Sequence, residues 1–322
     1  MEGSQPLQPE IVCLGEPMLE FNRQADGRYL AGHGGDTSNC AIAAARQGAA
    51  VGYLTCLGGD AFGDSFMALW AAEGVDTSQV HRDPEAPTAI YFVDHDAGAH
   101  HFTYLRAGSA ASRMTPRTFA RDYIAHARVL HVSGISQAIS ATACDTVFDA
   151  IGAARENGVT VSYDPNLRLK LWPLQRARAV IHAAMSECDI ALPGLDDAIQ
   201  LTGLDDPDAI ADFYLALGAR VVALTLGKAG TLVATPQQRE RIGVHGVAAV
   251  DATAAGDTFD GAFLAETLRG SDPFAAARYA NAAAALSTLG FGAVAPMPRR
   301  EAVIAFLGQA RSDAPPAPGP RD

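Results

Sequence analysis

Basic residues are scarce in this chain: 24 Lys and Arg stand against 36 Asp and Glu, a formal net charge of -12 over 322 residues. That deficit argues against a general nucleic-acid or anionic-membrane surface, since either needs a basic face; only a local anion site remains open. Cysteine is sparse as well. Cys13, Cys40, Cys56, Cys144 and Cys188 are scattered, with no CxxC pair and no nearby partnering His, so they read as buried thiols and not as a zinc site or disulfide scaffold. No run approaches the roughly 20 apolar residues of a membrane span. Met1 to Pro9 has neither a basic nor an apolar leader segment, so a cytoplasmic enzyme is the expectation. Neither a Walker A sequence nor GxGxxG occurs, which removes the key feature of the P-loop and Rossmann readings.

What is present suits one large α/β domain. Short β-branched or apolar runs at 11–14, 51–57, 129–132, 159–163, 190–192, 221–226 and 231–234 read as buried strands. Helical patterns at 39–47, 64–73, 141–157 and 175–185 lie between several of them. The alternation predicts a mainly parallel sheet covered by helices on both faces, with ligands at the carboxyl ends of the strands. One segment departs from it. Residues 88–94 and 101–106 alternate apolar and polar around Asp96-Ala97-Gly98, which predicts a hairpin. With 20–31 it is expected to form a small sheet projecting as a lid, the alternative being a plain edge hairpin. The main domain is expected over 10–310, with lid segments at 16–33 and 88–108 and disordered tails at 1–9 and 311–322.

The segment Asp251-Ala-Thr-Ala-Ala-Gly-Asp257 runs into a helix whose Phe259, Phe263, Leu264 and Leu268 share one face. Helix-start amides and the positive end of the helix dipole make Ala254, Ala255, Gly256 and Asp257 an anion cradle. An acid in a first turn is ordinarily a cap. Beside an anion cradle, a carboxylate can instead accept the proton of a hydroxyl attacking a phosphoryl group.

This segment resembles the carboxyl-terminal signature of the ribokinase (PfkB) family of sugar kinases, commonly Asp-Thr-Thr-Gly-Ala-Gly-Asp, from which Ala252 and Ala254 depart. Ala at 254 keeps the N–H but calls for an ordinary backbone conformation there. Gly34-Gly35-Asp36-Thr37-Ser38-Asn39 and Gly58 to Gly63 resemble the family's first signature; Asp164-Pro-Asn-Leu-Arg168 with Trp172-Pro173, Thr225 to Gly230, and Asn281 to Gly292 resemble its later motifs. The resemblance covers about Ile11 to Pro298. It implies a ribokinase-like three-layer α/β/α fold with a small β-sheet lid, ATP and Mg2+ as co-substrate and ion, and Asp257 as catalytic base. It further implies Gly34, Gly35, Asp36 and Asn39 at the acceptor, with Asp36 alternatively a simple helix cap. Arg168 is implied between sugar and phosphates, and Asn166, Thr225, Gly227, Lys228, Gly230, Ala255, Gly256 and Asn281 at ATP. Many members carry Asn-x-x-Glu linked to magnesium where this chain has Gly194-Leu-Asp-Asp197. Asp197 therefore reads equally as a metal-linked acid or a helix-start acid, and K+ near Asp251 is left open.

Phe102 to Ala111 is similar to the Tyr-x-Arg-x-x-Ser-Ala-Ala stretch of the family branch acting on 2-keto-3-deoxygluconate. That likeness implies a sugar-acid acceptor phosphorylated at its 6-hydroxyl, with Tyr91 and Tyr104 over the carbon chain and Arg106 on the carboxylate. A guanidinium suits a carboxylate, which ribose and fructose lack; a solvated lid residue or an ATP contact are the alternatives for Arg106. The same fold acting on a neutral sugar or nucleoside is the rival function, and a non-catalytic sugar- or nucleotide-binding regulator is the more remote one. His95, His100 and His101 read as solvated hairpin residues and His131 as a core histidine. A homo-oligomer meeting through the lid is expected.

Overall fold

The computed structural model describes residues 8–96 and 99–312. The hairpin tip Ala97-Gly98, the side chains of His95 and His100, and most of both expected tails lie outside the described residues.

In chain order the first half runs β1 (Ile11–Leu14), β2 (Met18–Arg23), β3 (Tyr29–Gly34), α1 (Asp36–Arg46), β4 (Val51–Gly58), α2 (Ala61–Glu73), β5 (Val80–Asp83), β6 (Ala89–Asp96) and β7 (Ala99–Leu105). The central part runs α3 (Arg121–Ala125), β8 (Val129–Ser133), α4 (Gly134–Ala138), α5 (Ala141–Glu156), β9 (Thr160–Asp164), α6 (Leu174–Met185), β10 (Ile190–Ala191), α7 (Leu195–Thr202) and α8 (Pro207–Leu217). It ends with β11 (Val221–Thr225), β12 (Thr231–Ala234), β13 (Arg239–Ile242), α9 (Ala255–Leu268), α10 (Pro273–Ser287) and α11 (Arg300–Ser312). The last helix thus includes Arg311 and Ser312, two residues of the expected tail.

Nine strands form the main sheet in the order β13-β12-β11-β10-β9-β8-β1-β4-β5. Pairing is parallel from β5 to β11 and antiparallel at β11–β12 and β12–β13. Because side chains alternate along a strand, β1 feeds two cores. Val12 and Leu14 join Leu130, Val161 and Tyr163 on one face, while Ile11 and Cys13 join Tyr53, Phe259 and Phe263 on the other. The expected three-layer architecture is therefore present. Two strands were not anticipated, β5 and β13. Their sequences, Val-His-Arg-Asp and Arg-Glu-Arg-Ile, are those of solvated sheet edges, where charge is tolerated and blocks further pairing. No helix among the described residues is long and apolar enough to cross a membrane.

The second sheet, in the order β3-β2-β6-β7, contains the expected hairpin and stands apart from the first. It is mixed: β2 pairs antiparallel with β3 and parallel with β6, and β6 pairs antiparallel with β7. Phe21 of β2 meets Phe62 of α2 edge-on at 5.8 Å, which ties this sheet to the main body.

The alanines take their meaning from helix packing. Ala41, Ala43 and Ala44 of α1 and Ala262 and Ala265 of α9 are buried, so the two backbones approach closely. Gly261 marks the tightest point: a Cβ there would lie 2.4 Å from the Cys40 carbonyl oxygen and 2.7 Å from the Cβ of Ala43. His131 is a core residue as expected; its Nδ1 lies 3.1 Å from the Ser162 hydroxyl, and burial lowers its pKa to about 4. All five cysteines are free thiols, although Cys56 is only half-buried.

The α1–α9 contact leads to a direct test. Gly261→Ala must push the helices apart and is expected to destabilise the fold by about 1–3 kcal/mol, the usual cost of overpacking, read as a lowered Tm. An unchanged Tm would mean that the helices are not in close contact.

Candidate active site

A cavity of about 810 Å³ opens between the two sheets, at the carboxyl ends of β1, β9 and β11. That volume suits a nucleotide beside a small acceptor. Its position follows from the fold, because parallel strands all present their carboxyl ends, and the helix starts that follow them, to one edge.

Asp257 stands in the first turn of α9 and faces the cavity. Asn39, on α1, donates from Nδ2 to Asp257 Oδ2 at 2.8 Å, so the tight α1–α9 packing is what brings two residues 218 positions apart into contact. Burial raises the Asp257 pKa to about 7, with the nearby Asp36 charge adding to it and the Asn39 bond and Arg168 opposing it. The side chain is half-buried by surface area but sits at the cavity floor, walled by protein. Below it, Asp260 and Asp164 are also held well above the usual carboxylate range, by burial first and then by neighbouring charge, that of Asp164 on Asp260 and that of Asp36 on Asp164.

The cradle is built differently from the expectation at one residue. Ala254 has φ 58° and ψ 18°, a left-handed conformation, where an ordinary one was expected. An L-residue there costs about 1–2 kcal/mol. The strained turn starts the helix abruptly, with Ala255 N–H bonded back to the Ala252 carbonyl at 3.2 Å. The Ala254, Gly256 and Asp257 amides have no acceptor among the described residues, whereas that of Ala255 is already engaged. Three of the four expected donors are therefore available to an anion at the positive end of the α9 dipole.

On the acceptor side, Asp36 is not a cap. Gly35, at φ 103°, is the N-cap of α1 without a side-chain bond, and a Cβ there would meet the Glu16 carbonyl oxygen at 2.5 Å. Asp36 instead turns to the cavity, where Oδ2 accepts from Asn166 Nδ2 at 3.1 Å. Asp36 Oδ1 and Asn39 Oδ1 are both buried without a hydrogen-bond partner. Two orphaned acceptors at one cavity wall suit a ligand bearing hydroxyl donors. Gly34 lies just behind, where a Cβ would sit 2.9 Å from the Tyr91 hydroxyl.

The lid supplies aromatic rings and a cation. Tyr91 and Tyr104 pair across β6 and β7 with centroids 5.8 Å apart, and Tyr91 donates to Glu20 Oε2 at 2.5 Å. Arg106 forms an ion pair with the fully buried Glu16 carboxylate, which also accepts from Ser109 Oγ at 2.6 Å. Burial pushes the Glu16 pKa up, and Arg106 opposes that shift most strongly. Neither Glu16 nor Asp260 was singled out from the sequence. The available signals were a strand-end acid after β1 and an acid three residues beyond Asp257 on the same helix.

The nucleotide residues divide. Asn166, Arg168, Thr225, Ala255 and Gly256 line the cavity, while Gly227, Lys228, Gly230 and Asn281 do not. Asn281 is turned inward, accepting from Thr231 Oγ1 at 2.8 Å and donating to the Gly243 carbonyl at 3.3 Å, so its side chain anchors α10 to β12. Asp251 also acts as a clasp. One carboxylate oxygen accepts from Thr253 N at 2.9 Å and the other from Gly292 N at 2.9 Å, joining two loops. Asp197 Oδ2 accepts from Leu167 N at 2.8 Å and lies 4.0 Å from Arg168, so it orders the loop after β9. No group of three or more His, Cys, Asp or Glu among the described residues is arranged to hold a metal ion. The donor set fits a magnesium ion carried mainly by ATP and water, with Asp164 and Asp197 both lining the same cavity.

A carboxylate accepts a proton only when ionised, so a reaction that relies on Asp257 as base is expected to speed up as pH rises through about 7. Its folded pKa lies above the unfolded value of about 4, so the ligand-free fold loses stability as pH rises from about 4 to about 7. Asp257→Asn is therefore expected to melt above wild type at pH 8, with the gap closing toward pH 4. Equal melting temperatures at pH 8 would refute the raised pKa.

The pfkB family carbohydrate kinase profile matches residues 8–300. The chain is similar to the 2-dehydro-3-deoxygluconokinase of Bacillus subtilis (strain 168), 34% identical over 313 residues, covering 94% of this chain and 97% of that one. It is likewise 34% identical, over 298 residues, to the 2-dehydro-3-deoxygluconokinase of Thermoproteus tenax, covering 88% of this chain and 90% of that one. Among solved structures, a fructokinase with bound ATP from Xylella fastidiosa superposes with a TM-score of 0.88 at 26% identity, covering 95% of this chain and 100% of that one.

Proposed function

The chain belongs to the pfkB family of carbohydrate kinases, and from that premise we propose that it transfers the γ-phosphoryl group of ATP to the 6-hydroxyl of 2-keto-3-deoxygluconate. The products are ADP and 2-keto-3-deoxy-6-phosphogluconate. The observation that carries this reading is the Asn39–Asp257 contact: it sets a proton-accepting carboxylate between unpaired helix-start amides and a wall of orphaned hydroxyl acceptors. The 34% identity with two enzymes named 2-dehydro-3-deoxygluconokinase, a synonym for the same acceptor, supports the choice of sugar acid.

In the proposed reaction the acceptor's carbon chain lies under Tyr91 and Tyr104, its hydroxyls meet Asp36 and Asn39, and its carboxylate meets Arg106. Asp257 takes the proton of the 6-hydroxyl as that oxygen bonds to the γ-phosphorus; the bond to the β,γ-bridging oxygen breaks, and its electron pair leaves with ADP. The amides of Gly256 and Asp257 stabilise the charge that builds on the phosphoryl oxygens. Held with ATP, a magnesium ion would offset the charge on the phosphate oxygens. Asp164 and Asp197 would reach it through water, and Arg168 steadies both ligands. We place the reaction in the cytoplasm, where ATP is supplied.

Two measurements test the reading. Asp257→Asn is expected to lower kcat by about 10²–10⁴, the range for a lost acid–base group; near-normal turnover would remove Asp257 from the chemistry. In a coupled ADP-release assay over sugar acids and neutral sugars, kcat/KM is expected to be highest for 2-keto-3-deoxygluconate, and a preference for fructose or ribose would overturn the acceptor assignment.

Leu30, Phe102 and Tyr104 share one face of the lid by strand register, the face whose Phe102 and Tyr104 also line the cavity, and are 59%, 42% and 36% exposed. A second copy meeting that face would cover it. Light scattering is expected to find a dimer, and a monomer at tens of micromolar would exclude the lid as a stable interface.

A further inference from the structure

The cavity is acidic. Six carboxylates line it, Glu16, Asp36, Asp164, Asp197, Asp257 and Asp260, against three cations, Arg106, Arg168 and Lys170. Two of those cations are already close to acids: Arg106 is paired with Glu16, and Arg168 lies 4.0 Å from Asp197. Lys170 has no ion-pair partner among the described residues. It therefore carries the one uncompensated positive charge of the cavity wall.

Its placement is specific. The loop after β9 is pinned at both ends by buried side chains, Leu167 and Trp172, each 5% exposed. Between them the chain turns, with Leu171 N–H donating to the Arg168 carbonyl at 2.9 Å, and this turn carries Leu169 and Lys170 outward at its corner. Lys170 Nζ sits 5.9 Å from the ring centroid of Tyr104, and Arg106 Cζ sits 5.8 Å from the same ring. Lys170 comes from the main domain; Tyr104 and Arg106 come from the lid and its exit. The two cations flank one aromatic ring across the mouth between the sheets.

We propose that Lys170 is a specificity-determining residue that draws the acceptor's carboxylate into the cavity and holds it beside the Tyr104 ring, together with Arg106. The inference rests on the sugar-acid reading above. Arg106 and Glu16 form a neutral, rigid pair whose guanidinium can orient a carboxylate without adding net charge. An ammonium without an acid partner adds that charge, and its flexible stem lets it reach a ligand beside the Tyr104 ring. A neutral sugar gains nothing from it.

The test compares wild type with Lys170→Met and Lys170→Arg. Binding of 2-keto-3-deoxygluconate is measured by calorimetry without ATP, alongside steady-state kinetics. In Lys170→Met the Kd and KM for the sugar acid are expected to rise about tenfold, with KM for MgATP changed less than twofold. Lys170→Arg should recover most of the loss. The dependence of kcat/KM on salt should also be shallower in Lys170→Met, since a screened attraction has been removed. A matching rise in KM for MgATP would mean a disordered loop and would overturn the assignment. A wild type that prefers a neutral hexose overturns both this inference and the sugar-acid reading. A wild type that prefers the acid, with Lys170→Met binding it equally well, overturns only the role of Lys170.

Discussion

The contact between α1 and α9 is the constraint on which the rest of the site depends. Small side chains along both helices, with Gly261 at the closest point, let their backbones approach to distances that any Cβ at 261 would prohibit. One consequence is the 2.8 Å bond from Asn39 to Asp257, which orients the carboxylate and limits the rise of its pKa. Another is that Asp36, one turn before Asn39 on the same helix, comes near enough for its charge to act on Asp257. Packing in the alanine-rich layer thus shapes the cavity floor: the carboxylate proposed as proton acceptor is positioned from two distant parts of the sequence by helix geometry, without a dedicated loop.

A second theme is how an acidic protein receives anions. The chain carries a net charge of -12, and its cavity repeats that imbalance locally. Attraction has to come from short-range features: unpaired amides at the start of α9, the Arg106 guanidinium held by Glu16, and Lys170 at the mouth. Crowded carboxylates serve the opposite purpose. Burial together with mutual repulsion holds Asp164 and Asp260 protonated to higher pH than usual, and burial with the Asp36 charge sets Asp257 near neutrality, where a proton acceptor is most useful. No three acids among the described residues form a metal cage, so a magnesium ion arriving with ATP would be held mainly by ATP and water.

Much of this was legible in the sequence, for identifiable reasons. The boundaries of β1 and β12 follow from their apolar runs, because a buried strand has little choice of composition. Edge strands β5 and β13 escape that logic, since half their residues face water and carry charge. The cradle at 254–257 was visible as small residues before a helix, yet the left-handed Ala254 was not, because nothing in an alanine announces a strained φ. Asp36 was ambiguous between cap and ligand until Gly35 took the cap position. Asn281 illustrates the reverse case: the family resemblance implied an ATP contact there, but its amide is spent on Thr231 and Gly243. Lys170 carried no sequence signal, because its significance lies in the lid ring opposite it.

The central claim is that this cavity directs phosphoryl transfer to the terminal hydroxyl of a sugar acid. The most direct measurement is a phosphorus–proton correlation spectrum of the product made from 2-keto-3-deoxygluconate and MgATP. A single phosphomonoester signal coupled to the C6 methylene protons is expected. A signal coupled to any other carbon's proton, or inorganic phosphate alone, would contradict it.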